Sequence, residues 1–363
     1  MKQTKYQMIS DEIKQQIIEG KYKIGETIPT ELALQAQYGV SRHTVRQAIG
    51  LLSTEGYLRT EKGSGTYVLD FQLKPSNMKD GQNKTIGVMT TYISNYIFPD
   101  IIHGIEKALR EKGYSLLLSS TNNDVDQEKE CLKMMLDRHV EGLIVEPTKS
   151  NEFNPNLPYY IQLKENNVPI VMINACYEEL SAPYVVMNDV KAGQILTDYL
   201  IDKGHTNIGI ITKIDDLQGK YRLKGFLKSC EKNKISVAPE QICTYKTGTE
   251  EQALHQLKQM IDHGETNSKL SAIICYNDEM ASQVIEALKQ ENKAVPNDIS
   301  VVGYDDSILS VAGDTEITTI SHAKEQMGID AVATLLKMLS GNNQIENIIY
   351  EPQIIERASV FKR

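Results

Sequence analysis

Ser41, Arg42, His43, Thr44 and Arg46 place five polar side chains in six positions, two of them permanently cationic. Arginine grips guanine O6 and N7 through paired hydrogen bonds, and serine or threonine binds phosphate oxygen, so the set suits the major groove of DNA. That chemistry requires all five on one exposed surface. Val45, Ile49 and Leu52 recur among and after them at helical spacing, so a helix opened by Ser41 buries those three and turns the polar set outward. On an isolated helix the same pattern also describes a solvated surface with Ser41 as a simple cap.

The flanking segments favour DNA. Ile9, Ile13 and Ile17 form one apolar stripe on a first helix that Gly20 ends. ELALQAQY forms a second helix, capped by Thr30, with Leu32 and Ala36 on one face and Gly39 as a left-handed stop. The third, SRHTVRQAIGLLSTEG, starts two residues later, and YLRT and TYVL then flank a glycine-bearing turn, which is a β-hairpin. Together these make a winged helix-turn-helix, whose recognition helix enters the major groove. Residues 1–75 hold ten Lys/Arg against eight Asp/Glu, net +2, and the remaining 29 against 40, net −11, complete the chain's formal −9. A basic head on an acidic body suits a chain that meets DNA at one end.

From Asp70 to Lys84 the apolar pattern gives way to Lys, Asn, Gly and Pro, which predicts a flexible linker over 70–84 between a head of 1–69 and a body of 85–363. In the body, short apolar strands (86–89, 115–118, 142–145, 169–173, 208–211, 272–275 and 299–304) alternate with helices (100–112, 126–138, 190–203, 219–232, 250–263 and 279–291). Such alternation implies an α/β fold with parallel sheet covered on both faces, and this length implies two doubly wound subdomains.

IPTELALQAQYGVSRHTVRQAIGLLSTEGYLRTEKGSGTYV resembles the DNA-binding head of the GntR family of bacterial regulators, over roughly residues 4–69. The resemblance implies that Arg42, His43, Thr44 and Arg46 touch the major groove and that Lys62 and Gly63, at the wing tip, enter the minor groove. Thr30, Glu31 and Ser41 complete the expected DNA-facing set. Leu32 departs from relatives that present an arginine there, so their operator preference does not transfer.

The body resembles the LacI/GalR type of periplasmic-binding-protein-like effector domain over 84–363, through VEGLIVEP, NVPIVMIN, GHTNIGII, RLKGF, CYNDEMA, ISVVGYDDS and ITTISHAKEQMG in order. That family binds a small ligand between two subdomains at the carboxyl ends of the strands, the general siting for open parallel sheets. Carried over position by position, the implied effector site is Tyr92, Ser94, Tyr96, Phe98, Glu146, Asn174, Arg222, Asn277, Asp305 and His322. Carboxylates, Arg, Asn and flat aromatic faces suit a neutral sugar. A GntR-type head on a LacI/GalR-type body resembles the arabinose-utilisation repressors of Gram-positive bacteria, which makes L-arabinose the expected effector; another sugar or polyol, or a ligand acting as corepressor, is the alternative. Residues 70–84 contain nothing like the minor-groove hinge helix of the LacI type. A homodimer on a near-palindromic operator is expected.

Other classes fit poorly. The sequence lacks G-x-G-x-x-G, G-x-x-x-x-G-K-[ST], G-x-S-x-G and H-E-x-x-H, and its seven histidines show no metal spacing, so neither an enzyme nor a metal or other cofactor is expected. The first residues carry scattered charge without an apolar core, and the five cysteines are odd in number and widely spaced, which predicts a reducing cytoplasm; the longest apolar runs, 142–145 and 208–211, fall far short of the ~20 residues a membrane helix needs, so no membrane is expected.

Overall fold

The computed structural model describes residues 5–23, 25–54, 57–61, 65–68, 84–267, 269–342 and 344–363. The expected linker and the wing-tip residues Lys62 and Gly63 lie outside them, Lys84 excepted. The chain divides into two units, 1–82 and 83–363.

The first unit contains α1 (Lys5–Ile18), α2 (Glu31–Tyr38), α3 (Arg42–Thr54) and the antiparallel pair β1 (Leu58–Glu61) and β2 (Gly65–Val68). The α1 stripe of Ile9, Ile13 and Ile17 meets Val45, Ala48, Ile49 and Leu52 of α3 in one core, closed by Leu58 and Val68 of the hairpin. Helix α2 is rotated from the expected face. Leu34 is 1% exposed and Leu32 75% exposed, because the i, i+4 pair Leu34 and Tyr38, rather than Leu32 and Ala36, meets the core. Gly39, at φ 60°, stops the helix in a left-handed conformation, its N–H bonded to Gln35 O.

The second unit runs β3 (Thr85–Thr90), α4 (Phe98–Glu111), β4 (Ser115–Ser120), α5 (Val125–Asp137), β5 (Gly142–Val145), α6 (Leu157–Glu165), β6 (Ile170–Ile173) and β7 (Tyr184–Met187). It continues through α7 (Asp189–Asp202), β8 (Ile208–Lys213), α8 (Leu217–Lys232), β9 (Ile242–Tyr245), α9 (Glu250–Asn267), β10 (Ala272–Cys275), α10 (Asp278–Gln290) and β11 (Ser300–Val302). Then follow α11 (Leu309–Ala312), β12 (Thr319–Ile320), α12 (Lys324–Leu339), β13 (Ile348–Tyr350) and β14 (Ile354–Ile355). Among the described residues there are two parallel sheets, β13-β7-β6-β5-β3-β4 and β11-β10-β8-β9, and helices cover both faces of each. Three crossings join the halves. The chain leaves the first sheet after β7, returns in α12 and β13, and leaves again in β14, which pairs with β12 beside the second sheet.

Glycine sets the closest helix contacts. A Cβ on Gly104 of α4 would collide with the Glu325 carbonyl at the start of α12, and one on Gly225 of α8 with the Val190 carbonyl of α7. Gly104→Ala is therefore expected to lower stability by about 1–3 kcal/mol through overpacking, read as a drop of roughly 3–10 °C in the melting temperature.

Candidate DNA-reading helix and effector cleft

In the first unit, Ser41 accepts from Thr44 N–H at 3.3 Å and its hydroxyl lies 2.9 Å from that of Thr44, so it caps α3. Thr30 caps α2 in the same way through Ala33 N–H. Glu31 stands between the two arginines. Its carboxylate accepts from Arg42 Nε at 2.7 Å and from Arg46 Nε at 3.0 Å, and bonding to Arg42 and then Arg46 holds its pKa below the ordinary value. The arginines remain 61% and 58% exposed. His43 is exposed and Thr44 half-buried. Glu31 thus braces two cations side by side on the outer face of α3, each through the nitrogen at the base of its fork, a geometry suited to end-on contact with base edges.

In the second unit, one cavity of ≈ 550 Å³ opens at the carboxyl ends of β3, β5, β6, β8, β10 and β11. Nine of the ten residues implied by the resemblance line it: Tyr92, Tyr96, Phe98, Glu146, Asn174, Arg222, Asn277, Asp305 and His322. Ser94 does not; it is exposed in the turn before α4. Several have duties within the protein. Asn277 caps α10 through Met280 N–H, and Phe98 is largely a core residue, edge-on to Tyr92 at 5.7 Å.

Glu146 is buried and accepts from Thr91 N–H at 2.8 Å, the Thr91 hydroxyl at 2.5 Å and Asn174 Nδ2 at 2.8 Å; burial still raises its pKa. Arg222 donates from Nε to Asp189 Oδ1 at 2.8 Å and from Nη1 to the Tyr276 carbonyl. Its guanidinium lies 3.4 Å from the ring centre of Tyr304, and its Nη2 is 3.9 Å from Asp305 Oδ1. Spacing from strand ends does not reveal such enclosure. His322 is driven down to about 4 by burial and is neutral at physiological pH.

Sequence reading missed Lys213 and Asp216, a buried pair 2.7 Å apart on the same wall. Burial pushes the Lys213 ammonium down, but Asp216 and Asp215 outweigh it and keep the residue charged. Their position just past the apolar run of β8 was the available signal, the same one that marks Glu146 and Asn174. Tyr96, Asn123, Asn174 and Asp305 all line the cavity with φ between 54° and 94°, and backbone held in that region gathers at ligand sites.

Both cations of the cavity wall are matched by carboxylates, whereas Asn174 Oδ1 and Gln218 Oε1 are buried acceptors with no donor from the protein, and His322 Nδ1 is a buried ring nitrogen with no partner in the protein. On a cavity wall such atoms are matched by a ligand rich in hydroxyl groups, each of which both donates and accepts. Among the described residues, no three His, Cys, Asp or Glu side chains cluster to hold a metal ion, and no helix is long and apolar enough to cross a membrane.

Comparison with known proteins finds relatives of both units. Residues 5–68 match the bacterial regulatory proteins of the gntR family, and 197–360 a periplasmic binding protein-like domain. The chain is 44% identical to the arabinose metabolism transcriptional repressor of Geobacillus stearothermophilus, covering 98% of this chain and 97% of the relative. It is 41% identical to the protein of the same description from Halalkalibacterium halodurans, over 98% and 96%. A crystal structure of a periplasmic binding ribose operon repressor protein from Lactobacillus acidophilus aligns at TM-score 0.66 and 25% identity, over 77% of this chain and 99% of that one. A gntR-type reading head and a periplasmic-binding-protein-like body on one chain, continuous with these relatives over nearly its whole length, place the protein in their family of sugar-responsive, DNA-binding transcriptional repressors, which are regulators and not enzymes.

Proposed function

We propose that the chain is a cytoplasmic repressor of arabinose-utilisation genes, and that L-arabinose in the body's cleft releases it from its operator. Supporting this are two buried acceptors, Asn174 Oδ1 and Gln218 Oε1, and the His322 ring nitrogen Nδ1, all without a partner in the protein and set among residues that already pair every cavity cation. A polyol satisfies such acceptors; a sugar phosphate would bring anionic charge to a wall that also carries Glu146, Asp189 and Asp305. The relatives' names support arabinose. Arg42, His43, Thr44 and Arg46 read the operator, with Thr30, Glu31 and Ser41 beside them on the DNA-facing side and Lys62 and Gly63 at the wing. Tyr92, Phe98, Glu146, Asn174, Arg222, Asn277, Asp305 and His322 surround the sugar. The chain works as a homodimer, whose two heads meet the halves of a near-palindromic site, with residues 70–84 joining head to body.

A panel of pentoses and hexoses in a thermal-shift measurement tests the effector. A ligand that binds only the folded state adds about 2.7 kcal/mol at a hundredfold excess over Kd, on the order of 5–10 °C. L-arabinose is expected to give the largest shift. A panel in which no sugar moves the melting temperature would remove the effector assignment.

A further inference from the structure

The Tyr96 hydroxyl crosses the cleft. Tyr96 belongs to the first half of the body, yet its oxygen lies 2.7 Å from Asp305 Oδ2 and 3.0 Å from the Tyr304 carbonyl, and accepts from Asp278 N–H at 3.1 Å, all in the second half. A phenol has one proton to donate, and the shorter contact, to a carboxylate, takes it. The donor is thereby spent and the acceptor side engaged. Burial, followed by the Asp305 and Asp278 charges, holds that proton on the phenol. The backbone at Tyr96 sits at φ 60°, a left-handed conformation that persists where the surroundings over-determine it. Other bonds also cross between the halves, as from Asn151 Nδ2 to the Ile214 carbonyl, Leu217 N–H to Ser150 Oγ and Asn123 Nδ2 to Thr247 Oγ1. The Tyr96 bond differs in what it holds: a carboxylate of the cavity wall that also faces Arg222 at 3.9 Å.

We infer that Tyr96 is a positioning residue, a latch that holds Asp305 and closes the cleft before a ligand arrives. The apparent Kd of a ligand is its intrinsic Kd divided by the fraction of molecules already competent to bind. The latch raises that fraction, so Tyr96 sets the sugar concentration at which the protein responds without spending its hydroxyl on the sugar.

The test uses Tyr96→Phe in the full chain, which keeps the ring and removes the bond. Fluorophores are attached through cysteines substituted at Glu130 and Glu291, exposed positions on the two halves. Without sugar, the label separation is expected to lengthen and broaden relative to the unsubstituted chain. Saturating L-arabinose restores the short separation, with its Kd raised about tenfold, as for loss of a hydrogen bond to a charged group. A raised Kd with an unchanged sugar-free separation would make Tyr96 a plain sugar contact and overturn the latch. So would a lowered melting temperature with both quantities unchanged. Asp305→Ala, alone and combined with Tyr96→Phe, closes a double-mutant cycle in the sugar-free separation: the second substitution is expected to add almost nothing, and additivity overturns the proposal. Should Tyr96→Phe fail to fold, the sugar-free separation of Asp305→Ala decides the matter. The Kd readout rests on the effector proposed above, but the sugar-free separation does not, so the two can fail independently.

Discussion

Arg42→Ala and Arg46→Ala are each expected to abolish operator binding at physiological salt while leaving the body's ligand affinity unchanged. One good base contact is worth ~1–3 kcal/mol, and in a dimer the loss falls on both half-sites, so the operator affinity drops by roughly two to four powers of ten. Neither change should disturb folding. Both side chains are largely exposed, and their partner within the head, Glu31, lies at the surface on α2. Gel shifts at fixed salt read the loss, and the residual binding of each variant to unrelated DNA separates a base-reading arginine from one that only neutralises phosphate. Full operator affinity in both variants would return α3 to the status of a solvated helix.

Glu31→Gln sharpens the same point, because it keeps the shape of the brace and removes its charge. Arg42 and Arg46 would then stand as two unneutralised cations with less to hold them parallel, so discrimination between operator and unrelated DNA should fall more than total affinity does.

What was legible in the sequence was whatever a local period or a strand end could carry. The stripe of Ile9, Ile13 and Ile17 and the run of Val45, Ile49 and Leu52 fix two helix faces because each repeats over several turns. Helix α2, only two turns long, offered two competing apolar pairs, and the core chose Leu34 with Tyr38 over Leu32 with Ala36. In the body, polar residues directly after apolar strands marked Glu146, Asn174 and Asp305. Lys213 and Asp216 obeyed the same rule and were passed over. Helix α12 and strand β13 went unread as parts of the first sheet's layer, because nothing local says that residues 324–350 return to a sheet begun at residue 85. Tyr96 shows the limit most sharply: its bond to Asp305 joins positions 209 residues apart, and no spacing rule anticipates that a residue flagged for the ligand would hold the opposite wall.

The enclosure of Arg222 changes what its removal should do. Asp189 is fully buried against that guanidinium, and taking away one partner of a buried pair costs about 3–5 kcal/mol. Arg222→Ala is therefore expected to lose on the order of 10 °C in melting temperature together with any sugar response, so it cannot by itself separate binding from folding. Asp305→Ala can. Asp305 is an accessory neighbour of Arg222, 3.9 Å away, rather than its main partner, so the arginine keeps Asp189 when Asp305 is gone. The expected phenotype is a protein that holds its operator undiminished and does not release it at any L-arabinose concentration, because the charge-assisted bonds formed only in the sugar-bound state account for the coupling, typically 1–3 kcal/mol. Operator binding titrated with L-arabinose measures this directly. Release by sugar at the unsubstituted protein's concentration would take Asp305 out of the effector site. Comparison with Tyr96→Phe then separates the two duties of that carboxylate: loss of the latch alone shifts the response to higher sugar, whereas loss of the carboxylate removes the response altogether.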